Sequence, residues 1–273
     1  MSAELFLAFI AGVFGSLIGS FLNVCVYRLP RNESVVRPRS RCPQCGTMVV
    51  WYDNIPVVSW LGLRGKCRTC ANPISIQYPI VELAVSLAWA GAFWLLGPTP
   101  AALSAALFIT LLTGILLTDA QHFIIPDELS LGGLAVGLVL AFFTPIGWKA
   151  ALIGAAAGFS LLWVVKAGGD LALKKGWIGG QEIRDTLGDE EPLTAMGGGD
   201  LKMMAMIGAF LGWRGVLLTV FLGALVGTLI YLPFFFRKTR PLVPFGIYLA
   251  LGAFVTLIAG EPLTDWYTRM LVP

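Results

Sequence analysis

Charge is what this sequence has least of. Only 13% of its 273 residues are Asp, Glu, Lys or Arg, about half the share found in soluble domains. With 57% hydrophobic residues, the chain cannot clothe a soluble surface and reads as a membrane protein. Histidine is nearly missing as well. His122 stands alone, so no Ser-His-Asp or Cys-His set competes as a nucleophilic centre. There is no H-E-x-x-H, no Walker motif and no glycine-rich nucleotide loop. The first apolar segment has neither a basic N-terminal region nor a small-residue cleavage site, and it is expected to stay as a helix. Net charge is only +3, and nothing points to nucleic acid.

What is present is a series of apolar runs. Spans are expected at Leu5–Tyr27, Tyr78–Leu96, Ala101–Thr118, Leu129–Pro145, Ala150–Val165, Ala195–Trp213, Gly215–Phe236 and Leu242–Gly260. Most approach the roughly 20 residues that a crossing needs. All Lys and Arg except Lys149, Arg214 and Arg269 fall on loops of one side. By the positive-inside rule that side is cytoplasmic and both termini lie outside. The fold expected is an all-α polytopic membrane protein of about eight transmembrane helices. A single long helix through Arg214 is the rival for spans six and seven; it would bury that charge near mid-membrane and is rejected. Helix six is expected to start near Ala195, because too few apolar residues separate Lys202 from Arg214 for a crossing.

Three segments follow from this layout: helix one (1–27), a soluble loop (28–77) and a membrane domain (78–273). The loop holds Cys42-Pro-Gln-Cys45 and Cys67-Arg-Thr-Cys70. Two C-x2-C pairs at this separation point to a tetrahedral four-thiolate Zn2+ site of the ribbon type. Disulfides are the competitor, and placement of the loop in a reducing cytosol argues against them. With four protein ligands the metal is structural. Cys25 is read as a small buried hydrophobe. Between the pairs, Trp51, Tyr52, Asp53, Asn54, Ile55, Pro56 and Trp60 form either the loop's small core or a surface for a partner segment. Glu82, a turn into helix two, is solvated at the interface or functional.

Two aspartates stand out. Asp119 closes span three, where a carboxylate opposes the helix dipole; a polar turn of Gln121, His122, Pro126, Asp127 and Glu128 is expected to follow, with His122 a loop histidine and Asp127 and Glu128 beginning helix four. Asp200 follows Gly197-Gly198-Gly199 at the mouth of an apolar run. It caps a helix or does chemistry. Two neighbouring carboxyls share a proton, so one activates water while the other protonates a carbonyl oxygen. Acid–acid hydrolysis is what this inventory allows. The stretch from Lys166 to Thr194 reads as a glycine-bearing flap or a solvated connector.

GGGD with Lys202 resembles the GxGD signature of intramembrane aspartic proteases. More closely, GSFLNVCVYRLP (Gly19–Pro30), RCPQCG, WYDNIPVVSW, NPISIQYPIVE (Asn72–Glu82) and the D-x6-P-D pattern from Asp119 are similar to the bacterial prepilin peptidases. Ala71 and Gln77 depart from that pattern, where Gly and Arg are expected. The resemblance implies a bifunctional enzyme of the bacterial inner membrane. It would cut the basic leader of type IV prepilins or type II secretion pseudopilins after Gly, on the cytoplasmic face, and then methylate the new N-terminus with S-adenosylmethionine. It implies Asp119 and Asp200 as the catalytic pair and links the cysteine loop to methylation. Glu82 and the residues of the cysteine loop are the guesses for a methyl-donor site. The alternatives are a peptidase without methyltransferase activity, or a non-enzymatic zinc-ribbon scaffold or transporter.

Overall fold

The computed structural model describes residues 2–177, 194–236 and 244–271. Its helices are α1 (Ala3–Arg28), α2 (Val58–Gly62), α3 (Gln77–Leu96), α4 (Pro100–His122), α5 (Asp127–Leu140), α6 (Trp148–Lys174), α7 (Gly198–Phe236) and α8 (Phe245–Leu271). Among the described residues six helices are long and apolar enough to cross a membrane. Two expected spans account for the difference from eight. α5 has only 14 residues, about 21 Å at 1.5 Å per residue. Spans six and seven form the single element α7, whose backbone leaves the helical region at Gly212 (φ 69, ψ 178). That break falls two residues before Arg214, close to the expected junction. A glycine accepts this positive φ where a side chain would be strained.

The chain divides into two compact units, Met1–Leu129 with Phe143–Pro145 and Ser130–Phe142 with Ile146–Pro273. In the first, α1 presents small residues to α3. A Cβ on Gly15 would lie 2.7 Å from Trp89, and one on Gly19 would lie 2.9 Å from the Glu82 Cα. The opposite face of α1 leaves Phe6, Phe9, Ile10, Phe14 and Phe21 exposed. Small residues toward the neighbouring helix and large apolar ones outward is the pattern of a helix in lipid. The core between α1, α3 and α4 is Leu22, Val26, Val81, Val85, Trp89 and Ala106. Trp89 Nε1 donates to Thr110 Oγ1 at 3.0 Å, and Asn23 Nδ2 donates to the Tyr78 carbonyl at 3.2 Å. Such bonds satisfy polar atoms that lipid cannot hydrate.

The second unit repeats the device. Backbones meet where α6 crosses α7: Gly154 faces Gly208, and Gly158 faces the Met204 carbonyl. A Cβ on Gly252 of α8 would lie 2.5 Å from the Thr219 carbonyl of α7, beside a buried Thr219–Thr256 hydroxyl pair at 3.2 Å.

Candidate catalytic aspartates and metal centre

The cysteine loop is built from two copies of one local structure. In the first, Cys42 N–H donates to the Thr47 carbonyl and Gly46 N–H to the Cys42 carbonyl, each at 2.9 Å. In the second, Cys67 N–H donates to Asn72 at 2.8 Å and Ala71 N–H to Cys67 at 2.9 Å. An isolated bridge closes each, Arg41 with Met48 and Lys66 with Pro73. No strand forms among the described residues; the ribbon is reduced to two knuckles. Each turn needs a left-handed residue in one place, Gly46 at φ 70 and Ala71 at φ 56. The missing glycine at 71 is thus a backbone cost, because an L side chain in this region is disfavoured by about 1–2 kcal/mol.

The knuckles bring all four thiols together. Their sulfurs lie within 4.8 Å of one another, and Cys42 and Cys70 are 3.8 Å apart. A tetrahedron with metal–sulfur bonds of about 2.3 Å has edges of about 3.8 Å, so the donor set fits one such ion. The Thr47 hydroxyl and N–H hold the Cys45 thiol down at about 6. Backbone N–H groups of Cys70 and Thr69 lower Cys67. Both favour thiolates, the form that binds metal. Packing alone offers little here: no hydrophobic side chain is buried between Val26 and Val81. Trp60 contributes what core there is, with its ring against Gly65 and its Nε1 donating to the Ile74 carbonyl at 3.1 Å. Trp51 stays 72% exposed.

Glu82 ties this loop to the membrane helices. It is buried, and its Oε2 accepts a 2.7 Å hydrogen bond from Val57 N–H. Ser20 of α1 is a second hydrogen-bonding partner. Val57 has φ 61, an unfavourable conformation for a β-branched residue that this bond helps to hold. On the other side of the loop, Arg68 grips Asp53 with two bonds of 2.7 and 2.6 Å, which hold the Asp53 carboxyl below the usual carboxylate range.

Asp119 lies in the first unit and Asp200 in the second. Asp119 is 6% exposed, and α4 does not stop at it. The helix continues through Gln121 and His122, and Phe123 N–H caps it on the Asp119 carbonyl at 3.0 Å. The first part of the expected polar turn, with its loop histidine, is therefore the last helical turn: Gln121 is exposed and His122 half-buried, as suits a helix end. Gln121 Nε2 donates to Gln77 Oε1 at 3.1 Å, so glutamine at 77 joins α4 to the start of α3. Asp127 and Glu128 open α5, as expected.

Asp200 is 9% exposed and stands in the first turn of α7, followed by the buried run Leu201, Met203, Met204, Ala205, Met206 and Ile207. The helix begins at Gly198 rather than Ala195. Side chains of α6 capture the backbone just upstream instead. Lys166 Nζ donates to the Met196 carbonyl at 2.6 Å, and Ala195 N–H donates to Asp170 Oδ1 at 2.7 Å. Lys166 and Asp170 also pair at 3.6 Å. Gly169 leaves room for the segment, since a Cβ there would sit 2.5 Å from that of Ala195. The flap expected from Lys166 thus starts later, α6 running to Lys174; most of it lies outside the described residues. Neither Lys166 nor Asp170 was singled out by sequence. Their i,i+4 opposite charges following an apolar run are the available signal.

Buried aspartates in two apolar helices, one in each unit, and a loop whose four thiols could hold a metal ion define a polytopic membrane protein with a cysteine-rich insertion. The chain belongs to the type IV leader peptidase family. Residues 105–232 match that family's model, and residues 13–96 match that of the bacterial peptidase A24 N-terminal domain. Proteins named prepilin leader peptidase/N-methyltransferase are similar to it. That of Myxococcus xanthus is 40% identical over 81% of this chain and 62% of its own length. That of Aeromonas hydrophila is 33% identical over 93% and 91%. That of Burkholderia pseudomallei is 36% identical over 92% and 84%. No solved structure matches.

Proposed function

We propose that this chain removes the leader from prepilins and N-methylates the new N-terminus. It is an enzyme of a multi-pass bacterial membrane setting, with prepilins as its protein substrates. The observation that carries the proteolytic half is the burial of Asp119 and Asp200 in otherwise apolar helices. Carboxylates are expensive in such surroundings and persist there for chemistry.

The pair works as an acid–base couple. The ionised carboxyl accepts a proton from water as its oxygen attacks the scissile carbonyl. The protonated one donates to the carbonyl oxygen; collapse of the tetrahedral intermediate breaks the carbon–nitrogen bond, the mature pilin leaving as the amine, which takes up the proton drawn from water, and the leader as a new C-terminal carboxyl. The two titrate as a unit. Cleavage falls after Gly on the cytoplasmic face of the inner membrane, where a basic leader meets an apolar helix. The charge bias of the loops supports that side, and the break at Gly212 supports a division of α7 into two crossings.

The four thiolates hold a structural Zn2+, or a similar soft-ligand ion, that folds the loop. S-adenosylmethionine supplies a methyl carbon to the amine lone pair, its carbon–sulfur bond breaking to leave a thioether while the amine loses a proton. Incubation of purified protein with a prepilin and this donor, followed by mass spectrometry, tests both halves. The reading requires loss of the leader mass and a separate gain of one methyl; an uncut prepilin contradicts it.

A further inference from the structure

The segment between the two knuckles does not stand clear of the membrane helices. Glu82 lies about 7.5 Å past the start of α3 and Ser20 about 12 Å before the end of α1, at 1.5 Å per residue. Glu82 holds the Val57 N–H at that level and bonds to Ser20 as well. Leu17, a turn deeper in α1, lines one cavity together with Trp51, Ile55 and Pro56. α1 carries no charge from Leu5 to Tyr27, about 34 Å of helix against a hydrocarbon core of about 30 Å. Leu17 and Ser20 therefore fall inside the hydrocarbon, and the loop touches α1 at their depth.

Backbone at that depth must find partners within the protein, and this segment closes on itself. Asp53 N–H donates to the Val50 carbonyl at 3.0 Å, Ser59 N–H to that of Ile55 at 3.1 Å and Leu61 N–H to that of Val57 at 3.1 Å. Pro56 has no N–H to satisfy. The side chains turn the other way. Trp51 and Ile55 are exposed and Val58 is 64% exposed, as are Leu17 and Phe21 on the neighbouring face of α1. The loop that carries them is basic: residues 28–77 hold eight Lys and Arg against Glu33 and Asp53. An apolar tip on a basic loop matches a leaflet, whose acyl chains lie beneath its phosphates.

We propose that residues 50–58 are a re-entrant membrane segment, with Trp51, Ile55 and Val58 seated among lipid acyl chains rather than in water. The occupant of this face is lipid, because the cavity wall passes from Trp51 and Ile55 directly to Leu17, which belongs to the lipid-facing side of α1. Seated so, the segment fixes both knuckles at the membrane surface. Glu82 supplies Val57 with the acceptor that water cannot be at that depth.

The test is photo-cross-linking of the full chain in nanodiscs of phosphatidylethanolamine and phosphatidylglycerol, with Trp51→p-benzoylphenylalanine and Val58→p-benzoylphenylalanine made singly. Phe14→p-benzoylphenylalanine, on the lipid face of α1, is the positive control, and helix content checks each preparation. Mass spectrometry after irradiation is expected to show a shift of one phospholipid at positions 51 and 58, as at 14, joined through an acyl chain and unchanged by added prepilin. A lipid adduct at 14 with none at 51 or 58, or adducts there confined to headgroups, would overturn the proposal. An adduct with prepilin that displaces the lipid one would make the face a substrate-docking surface and overturn it too. Acyl-chain adducts in samples that leave prepilin uncut would support the re-entrant segment while contradicting the proteolytic reading.

Discussion

The backbone N–H of Val57 donates a 2.7 Å hydrogen bond to Oε2 of Glu82, so a carboxylate buried on a membrane helix anchors the loop between the two cysteine knuckles. The interaction joins residues 25 positions apart and holds a strained backbone that local sequence does not favour. A charged acceptor makes such a bond worth about 1.5–3 kcal/mol. Glu82→Gln keeps an acceptor and loses the charge; Glu82→Ala loses both. Methyl transfer to a pre-cleaved pilin peptide is expected to fall in the order wild type, Gln, Ala, with prepilin cleavage changing less. Equal methylation in all three would show that the anchor has no bearing on the second reaction.

At position 71 the backbone asks for glycine, as its counterpart Gly46 shows. Ala71→Gly relieves the left-handed strain and gives back part of the gain as unfolded-chain entropy, for a net stabilisation of about 0.5–1 kcal/mol. The measurement is the chelator concentration that strips half the metal, which should rise. A fall would mean that the alanine methyl makes a contact more valuable than the strain.

The Lys166–Asp170 clasp sets where α7 begins. Without it, the Ala195 N–H and Met196 carbonyl lose their partners and the glycine run before Asp200 is free to change register. Lys166→Met and Asp170→Asn are each expected to lower kcat for leader cleavage by about tenfold, the worth of one charge-assisted hydrogen bond, with KM little changed. Methylation of a pre-cleaved peptide serves as the control and should stay level. A rise in KM alone would make the clasp part of substrate binding instead.

Acid sensitivity of the loop has one traceable source. Arg68 lowers the Asp53 carboxyl, so the pair stabilises the folded loop fully above the ordinary carboxylate value, about 3.9. That stabilisation is lost as pH falls through the lowered folded value. The difference in urea midpoint between wild type and Asp53→Asn should be constant from about pH 8 to 5 and shrink below about pH 4. A difference that persists unchanged at pH 3 would contradict the ion-pair assignment. Arg68 is largely exposed, so the effect is small and falls with added salt.

What the sequence discloses depends on how local the cause is. The knuckles were legible because C-x2-C turns are closed by bonds within five residues, and Asp200 because a carboxylate rarely stands between a glycine run and an apolar run with a single lysine. The break near Arg214 was legible from the length that a crossing requires. The last turn of α4 was misread because polar residues mark helix ends and turns alike, and only the Phe123 cap on Asp119 distinguishes them. The Glu82 anchor and the Lys166–Asp170 clasp were invisible for a different reason. Each joins a side chain to a backbone group 25 or more residues away, and no local pattern encodes that pairing.

The central claim is that two buried aspartates perform the cleavage. Purified Asp119→Asn and Asp200→Asn, each isosteric and each checked for retained metal and helix content, are to be incubated with prepilin alongside wild type and read by mass spectrometry. Removal of a group that acts as half of an acid–base pair is expected to lower cleavage by at least about 10²–10⁴-fold, with methylation of a pre-cleaved peptide retained by both. Folded variants that still remove the leader at near wild-type rates would contradict the account.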